Sequence, residues 1–392
     1  MAMTAYNPTT SAIVQNYITV LMTAPAGVPR FDNDPITRNP LGLLIEQQST
    51  NLLTYSGNML STWTRSSGVG DIIDNAAIAP DGTQTAIMET QASGASNFIY
   101  YQYVYAPISI PYTVSVYFKQ GTKPTCGLYV DDNTFGGNRW LSVYNWSTGL
   151  ITNALSGLGG GVLPTSTATN IGNGWIRLSM TFTPLLQGLT VMVNRDLQGV
   201  GGTTFIWGAQ LEALPFVTSY IPTTTAQVTR NEDRASITGT NFSSWYNQSQ
   251  GSFYSQLDSR AGGISATFWS SIGGNTFASL SIVQTNVPRF NANSTPYNIL
   301  GQATVAGTTN KMSGSLIYGG NMSLAVNGIL SGTITAPTSP WMSSIPYPLM
   351  GIPDSLYFWN INAGGGCING HLLKVSYYPK ALTSSQLIGL TS

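Results

Sequence analysis

Apolar residues recur at every second position over much of the chain. In YTVSVYF, Tyr112, Val114, Val116 and Phe118 share one face and Thr113, Ser115 and Tyr117 the other, which predicts a half-buried antiparallel strand. WIRLSMTF repeats the pattern, with Ile176, Leu178, Met180 and Phe182 inward and Trp175, Arg177, Ser179 and Thr181 on the outer face. LTVMVNRD, ATFWSSI, GSLIYGG and MSLAVNG are further predicted strands. Turn signals separate them, among them Ser147-Thr148-Gly149, Gly172-Asn173-Gly174 and Asn327-Gly328. One helix is predicted, SSQLIGL near the end of the chain, with Thr383 as its N-cap ahead of Leu387 and Leu390. Many short strands with regular turns and almost no helix imply sandwiches or barrels.

The pattern changes after residue 204. Phe205, Trp207 and Ala209 fall on one face of a buried strand and Ile206, Gly208 and Gln210 on the other. Pro215 and Pro222 then remove ladder donors, and Thr223, Thr224 and Thr225 favour extended backbone, so the chain is expected to leave the sheet and cross open ground. Arg230, Glu232, Asp233 and Arg234 follow as the densest charge cluster, read as a solvated linker or hinge. A chain of 392 residues is long enough for two domains with cores of their own. The predicted organisation is an N-terminal arm over 1–40, a first sandwich over 41–225, a linker over 226–240 and a second sandwich over 241–392.

Composition narrows the partners. Charged residues make up 8% of the chain, fifteen basic against fifteen acidic, so no electropositive footprint exists for a phosphate backbone or an anionic bilayer. Nucleic acid is therefore not an expected partner. Nine Trp, twenty Tyr and thirteen Phe supply too much burial for a disordered chain. Cys126 and Cys367 lie far apart and do not indicate a disulfide framework; both are expected as buried thiols. The start, MAMTAYNPTTSAIVQNYITV, has neither a basic n-region nor an uninterrupted apolar run, so no membrane insertion is expected and assembly in a cytoplasm follows.

Several segments resemble modules of tailed-bacteriophage tail-fibre and head-spike proteins. The matching words are VPRFDNDP (28 to 35), LGLLIEQQSTNLLTYS (41 to 56), APDGTQTA (79 to 86), GNGWIRLSMTF (172 to 182) and GAQLEALPFVTSYIPTTTAQVTR (208 to 230). The same region is similar to jelly-roll carbohydrate-binding modules, with Asn51-Leu52-Leu53 and Trp63 at the corresponding positions. Those modules often hold a structural calcium through an acidic residue on the final strand, where this chain has Trp207-Gly208-Ala209-Gln210; no metal or other cofactor is expected here. Residues 241 to 392 resemble a laminin-G or concanavalin-A-like sandwich through NFSSWYNQSQGSFYSQLD, MSLAVNG and INGHLLKVSYYPKALTSSQLIGL. The resemblance implies an all-β fold of two tandem antiparallel β-sandwiches with a short N-terminal arm. It also implies a virion surface location, a homo-oligomer built as a trimer like other fibres, and contact with other virion proteins through the arm.

Catalytic chemistry finds little footing. The sole histidine, His371, is expected on a strand as a structural residue, because nothing else points to a Ser-His-Asp arrangement. Asp131-Asp132 is the best local carboxylate pair for glycoside cleavage, yet it reads as a polar loop whose neighbours point to opposite faces. Gly159-Gly160-Gly161 and Gly364-Gly365-Gly366 lack the Lys-Ser/Thr of a phosphate cradle. Sugar recognition suits the composition better, since aromatic faces stack on C–H surfaces and neutral hydrogen-bonders match hydroxyls. Tyr117, Trp175 and Arg177 are the candidates in the first domain, against the alternative that a further layer covers them. In the second domain Trp341, Tyr347, Tyr357 and Trp359, interleaved with Pro346, Pro348 and Pro353, are expected on loops at a sandwich end. The expected function is non-enzymatic: attachment to host surface glycan by a virion fibre or spike. The alternatives are an architectural capsid decoration or cement protein that binds no sugar and, last, a polysaccharide depolymerase.

Overall fold

The computed structural model describes residues 4–6, 12–15, 21–25, 27–65, 69–94, 100–132, 136–238, 240–247, 249–259, 265–272, 275–283, 286–292, 297–305, 307–337, 355–357 and 369–392. They form two antiparallel β-sandwiches. The first packs a six-stranded sheet ordered Thr165–Gly172, Trp175–Phe182, Tyr112–Gln120, Gly202–Glu212, Ala86–Gln91, Val69–Ala77 on another ordered Ile151–Ser156, Arg139–Asn145, Thr125–Asp132, Leu189–Val193, Tyr100–Val104, Thr64–Arg65. The alternation of the sequence fills its core. Tyr112, Val114, Val116 and Phe118 interdigitate with Leu178, Met180, Leu128, Val130, Trp140 and Val191.

A bulge inverts the expected faces of the strand Gly202–Glu212. Tyr117 pairs with Trp207 but Ser115 pairs with Gln210, so Gly208 and Ala209 together oppose Val116, and Gly208 takes φ +63°. The core therefore receives Ile206, Ala209 and Leu211, while Phe205 and Trp207 face outward.

The second sandwich holds two seven-stranded sheets. One is ordered Ile329–Thr335, Asn321–Val326, Thr309–Ile317, Gln250–Ser259, Gly370–Tyr378, Pro40–Ile45, Phe31–Asn33. The other is ordered Thr4–Tyr6, Arg234–Thr238, Ser355–Tyr357, Ser265–Ile272, Asn275–Val283, Val287–Ala292, Asn298–Leu300. This arrangement corrects the expected boundaries. Leu43 and Leu44 lie opposite Leu372 and His371, and Leu43 and Ile45 enter the core of Phe253, Leu257, Leu280, Phe290 and Met312. Residues taken as an arm and as the opening of the first sandwich are thus strands of the second, because only there do Leu43 and Ile45 find an apolar partner face. The first sandwich is an insertion. Its neck is the antiparallel pair Ser49–Asn51 and Val228–Arg230.

The expected open crossing is also corrected. Tyr220 and Ile221 are buried, the Ile221 amide donates to Gln210 Oε1 at 2.6 Å, and the Tyr55 amide donates to Thr224 O at 2.7 Å. Side-chain amides and neighbouring strands satisfy the backbone that the prolines free, so the segment lies on the sandwich. At the end of the chain, the helix Ser384–Thr391 carries a full capping box between Thr383 and Gln386. A four-residue helix, Thr240–Ser243, was not expected.

Candidate functional site

The outer face of the first sandwich is covered where aromatic side chains crowd it. Tyr117, Trp175 and Trp207 pack with Tyr220, Ile171, Ala79, Ala86 and Leu21 in a second apolar cluster. The layer comes from residues 77–86, residues 217–221 and the strand Leu21–Ala24, whose Leu21 amide donates to Pro80 O at 2.8 Å. Trp175 Nε1 donates to Ile78 O at 3.1 Å. Three large rings on one sheet face bury more apolar area than solvent tolerates, so a covering layer forms over them. Tyr117, Trp175 and Arg177 are consequently buried rather than displayed, in line with the alternative that a further layer covers them.

Two of these three nonetheless reach a cleft between the sandwiches. The cleft encloses about 240 Å³, and its lining includes Asp32, Asn33, Leu44 and Glu46 from the second sandwich and Tyr117, Thr169, Arg177 and Ser219 from the first. Arg177, 9% exposed, donates from Nη1 to Thr218 O at 2.7 Å and from Nη2 to Ser115 Oγ at 3.0 Å, and it lies over the Tyr117 ring at 5.1 Å. Its Nε has no partner among the described residues. Asn33, 3% exposed, also lines the cleft and leaves Oδ1 without a donor among the described residues. Two residues that line one cleft thus each keep an unspent buried polar atom. Burial pushes the Tyr117 hydroxyl upward in pKa, so it stays protonated. Asp34 turns its carboxylate onto its own loop, accepting from the Thr37 and Ile36 amides, which lower its pKa.

A four-membered ion network closes the floor. Arg30 Nη1 meets Glu46 Oε2 at 2.8 Å and Arg30 Nη2 meets Asp233; Arg230 stands 3.6 Å from Glu46 and 3.7 Å from Asp233. The Ser219 amide donates to Glu46 Oε1 at 2.9 Å and so ties the first sandwich to the second. Burial works to raise the Glu46 carboxyl, but the Arg30 and Arg230 guanidinium groups outweigh it and hold it far below the usual carboxylate range. Burial prevails at Asp233 and pushes its pKa up. The charge cluster read as a solvated linker therefore includes Arg230 and Asp233 as buried members of a joint, because each carries an opposite charge at hand.

His371 is buried beneath the cleft wall. Its Nε2 lies 3.0 Å from Asp32 Oδ2 and its Nδ1 3.1 Å from Asp258 Oδ2. The ring stands between the two carboxylates and keeps them apart, which makes it a cross-strand tie. Asp131 and Asp132 are likewise structural, on the strand Thr125–Asp132 rather than in a loop. Asp131 pairs with Arg139 at 3.0 Å, and Asp132 Oδ2 accepts the Leu185 and Leu186 amides at 3.0 and 3.1 Å. Gln210 spends Oε1 on the Ile221 amide and Nε2 on Ser219 O. Among the described residues no group of three or more His, Cys, Asp or Glu side chains is placed to hold a metal.

Of the second-domain candidates, Trp341, Tyr347 and Trp359 lie outside the described residues. Tyr357 is on a strand with a neighbour on each side, opposite Ser236 and Trp269, not on a loop. Sequence reasoning missed Asn33, Glu46 and Ser219. VPRFDNDP gave no periodic signal to place Asn33 against a sheet some 140 residues away in sequence.

No family model matches the chain, and no curated protein does. Among solved structures, the native heptameric SAP-like pentraxin from Limulus polyphemus matches with a TM-score of 0.29 and 14% identity, over 37% of this chain and 70% of that one. Botulinum neurotoxin type C, whose cell entry depends on interaction with two ganglioside molecules, matches with a TM-score of 0.29 and 11% identity, over 41% of this chain and 40% of that one. At these scores neither likeness bears on function, and the fold rests on this chain's own sheets.

Proposed function

We propose that this chain is a non-enzymatic surface protein of a bacteriophage virion that attaches to host glycan through the cleft between its sandwiches. The observation that carries the binding step is that two cleft-lining residues each leave a buried polar atom unpartnered among the described residues, Asn33 Oδ1 and Arg177 Nε. Sugar hydroxyls are both donors and acceptors, the chemistry that such groups call for. The volume suits a single sugar ring, since clefts for larger ligands start at about 300 Å³. The virion placement is supported by the five ordered sequence words between 28 and 230. Since residues 31–45 are built into the second sandwich, contact with other virion proteins falls to its remaining outer surfaces.

A glycan array probed with the purified chain tests the reading. Saturable binding to at least one glycan class is expected, and Asn33→Ala weakens it about tenfold, the worth of one hydrogen bond to a buried group. Silence of the folded protein across the array would overturn glycan attachment and leave the architectural role. Shortening of polysaccharide during the same incubation would overturn the non-enzymatic assignment.

A further inference from the structure

We propose that the edge strand Ile151–Ser156 pairs antiparallel with the same strand of a second copy about a twofold axis through Ala154. The strand is outermost in its sheet, and among the described residues no other strand pairs with its outer side. The edge of the facing sheet, Thr165–Gly172, lies along the same flank: Ser166 meets the Ser142 hydroxyl of the neighbouring strand Arg139–Asn145 at 2.6 Å, and Asn153 Nδ2 donates to O of Pro164, just ahead of that edge, at 3.0 Å. Strands left at an edge in a lone molecule are normally guarded by charge, proline or a bulge. None guards this one. Residues 140 to 176 contain no Asp, Glu, Lys, Arg or His, Pro164 lies outside both strands, and the pairing of Ile151–Ser156 with Arg139–Asn145 runs without a register shift. The flank is also apolar at both ends, with Leu150 68%, Leu158 71%, Val162 76% and Leu163 59% exposed.

The occupant follows from charge and register. An uncharged edge gains nothing from a charged partner but meets an identical edge with no like-charge cost. A twofold axis normal to the sheet keeps each face of the sheet continuous, so residues that meet must share a face. Thr152, Ala154 and Ser156 are the exposed face of the strand. With the axis at Ala154, that residue meets its own mate and Thr152 meets Ser156. The same register brings Leu150 toward Leu158 of the other copy, twice by symmetry. Both copies thereby withdraw their most exposed leucines from water while extending one sheet across the pair.

Sedimentation equilibrium on the full chain tests this, with three variants at Ala154. The natural chain is expected at the mass of two copies. Ala154→Cys is expected to form a covalent pair on mild oxidation, since opposed β-carbons lie about 5 Å apart across such a ladder. Ala154→Lys is expected to raise the dissociation constant about a hundredfold by opposing two like charges at the axis, and mixing it with Ala154→Glu is expected to restore a mixed pair. Circular dichroism unchanged from the natural chain establishes that the variants fold. A natural chain at the mass of one copy overturns the proposal, as does a dimer or a trimer that Ala154→Lys leaves intact or that Ala154→Cys fails to link.

Discussion

Single residues on the inward faces of strands decide more here than the apolar pattern suggests. Glu89 shares the face of Ile87, so alternation drives its carboxyl into one end of the first core, beside Thr204 of the neighbouring strand. Asn194 Nδ2 donates to one oxygen, and the other, Oε1, has no partner among the described residues. Burial pushes its pKa from 4.5 to about 7, against the pull of the Asn194 hydrogen bond and of Lys123. An acid with a raised folded pKa keeps its proton in the native state after the unfolded chain has lost its own. Its contribution is therefore full below the unfolded value and lost as pH rises toward the folded one. Urea denaturation should show stability falling by about 3 kcal/mol between pH 4.5 and pH 7 on this account. Glu89→Gln should flatten that slope, and equal slopes for the two proteins would refute the assignment. The residue scale also shows what was not legible. The burial of Glu89 was not read from the sequence, and that Asn33 and Arg177 line one cleft follows from no local count.

At the scale of elements, the strand Gly202–Glu212 shows how one glycine redirects a face. Without the bulge, Ala209 would share the outer side with Trp207 and the core would lose its Ala209 and Leu211 contacts. A β-carbon at Gly208 would stand 2.8 Å from Tyr117 Cδ2, and Tyr117 is held between Trp207 and Tyr220 at ring separations of 5.4 and 5.9 Å. The φ of +63° adds the cost of a left-handed backbone to the clash. Gly208→Ala should therefore lower stability by about 2 to 4 kcal/mol, read as a shift of the thermal midpoint; an unchanged midpoint would show that the ring yields freely. The strands Tyr112–Gln120 and Trp175–Phe182 and the final helix were legible because each advertises its period or cap within a few residues. The bulge was not, since a glycine in a strand marks a bulge, a bend or a close approach with the same letter.

The whole molecule is held together at the joint of Arg30, Glu46, Arg230 and Asp233. Removing one carboxylate from such a network leaves guanidinium charge buried without a partner, at a cost of about 3 to 5 kcal/mol. Glu46→Gln should in addition split calorimetric unfolding into two transitions, one per sandwich, because the Ser219 amide tie to Glu46 crosses between them. A single transition shifted as a whole would show that the neck strands alone couple the cores. The sign with pH follows from Glu46 itself. Its lowered pKa gives stability that is present above the unfolded carboxylate value and is lost only as pH falls toward the folded one. This joint also frames the cleft, so the same variant should weaken glycan binding without touching Asn33.

The sequence by itself determined that this chain is all-β, that its cores are built from every second residue, and that it ends in a capped helix. Those features are local: period two, turn glycines and a capping box are each complete within about ten residues. Only the tertiary structure decided that Pro40–Ile45 belongs with Gly370–Tyr378, that the first sandwich is inserted into the second, and that aromatic side chains counted as surface are roofed over. Each depends on which of many compatible apolar faces meet. Alternation states that a face must be buried, but it does not say against what, and segments more than 300 residues apart settle that question only by closing one core together.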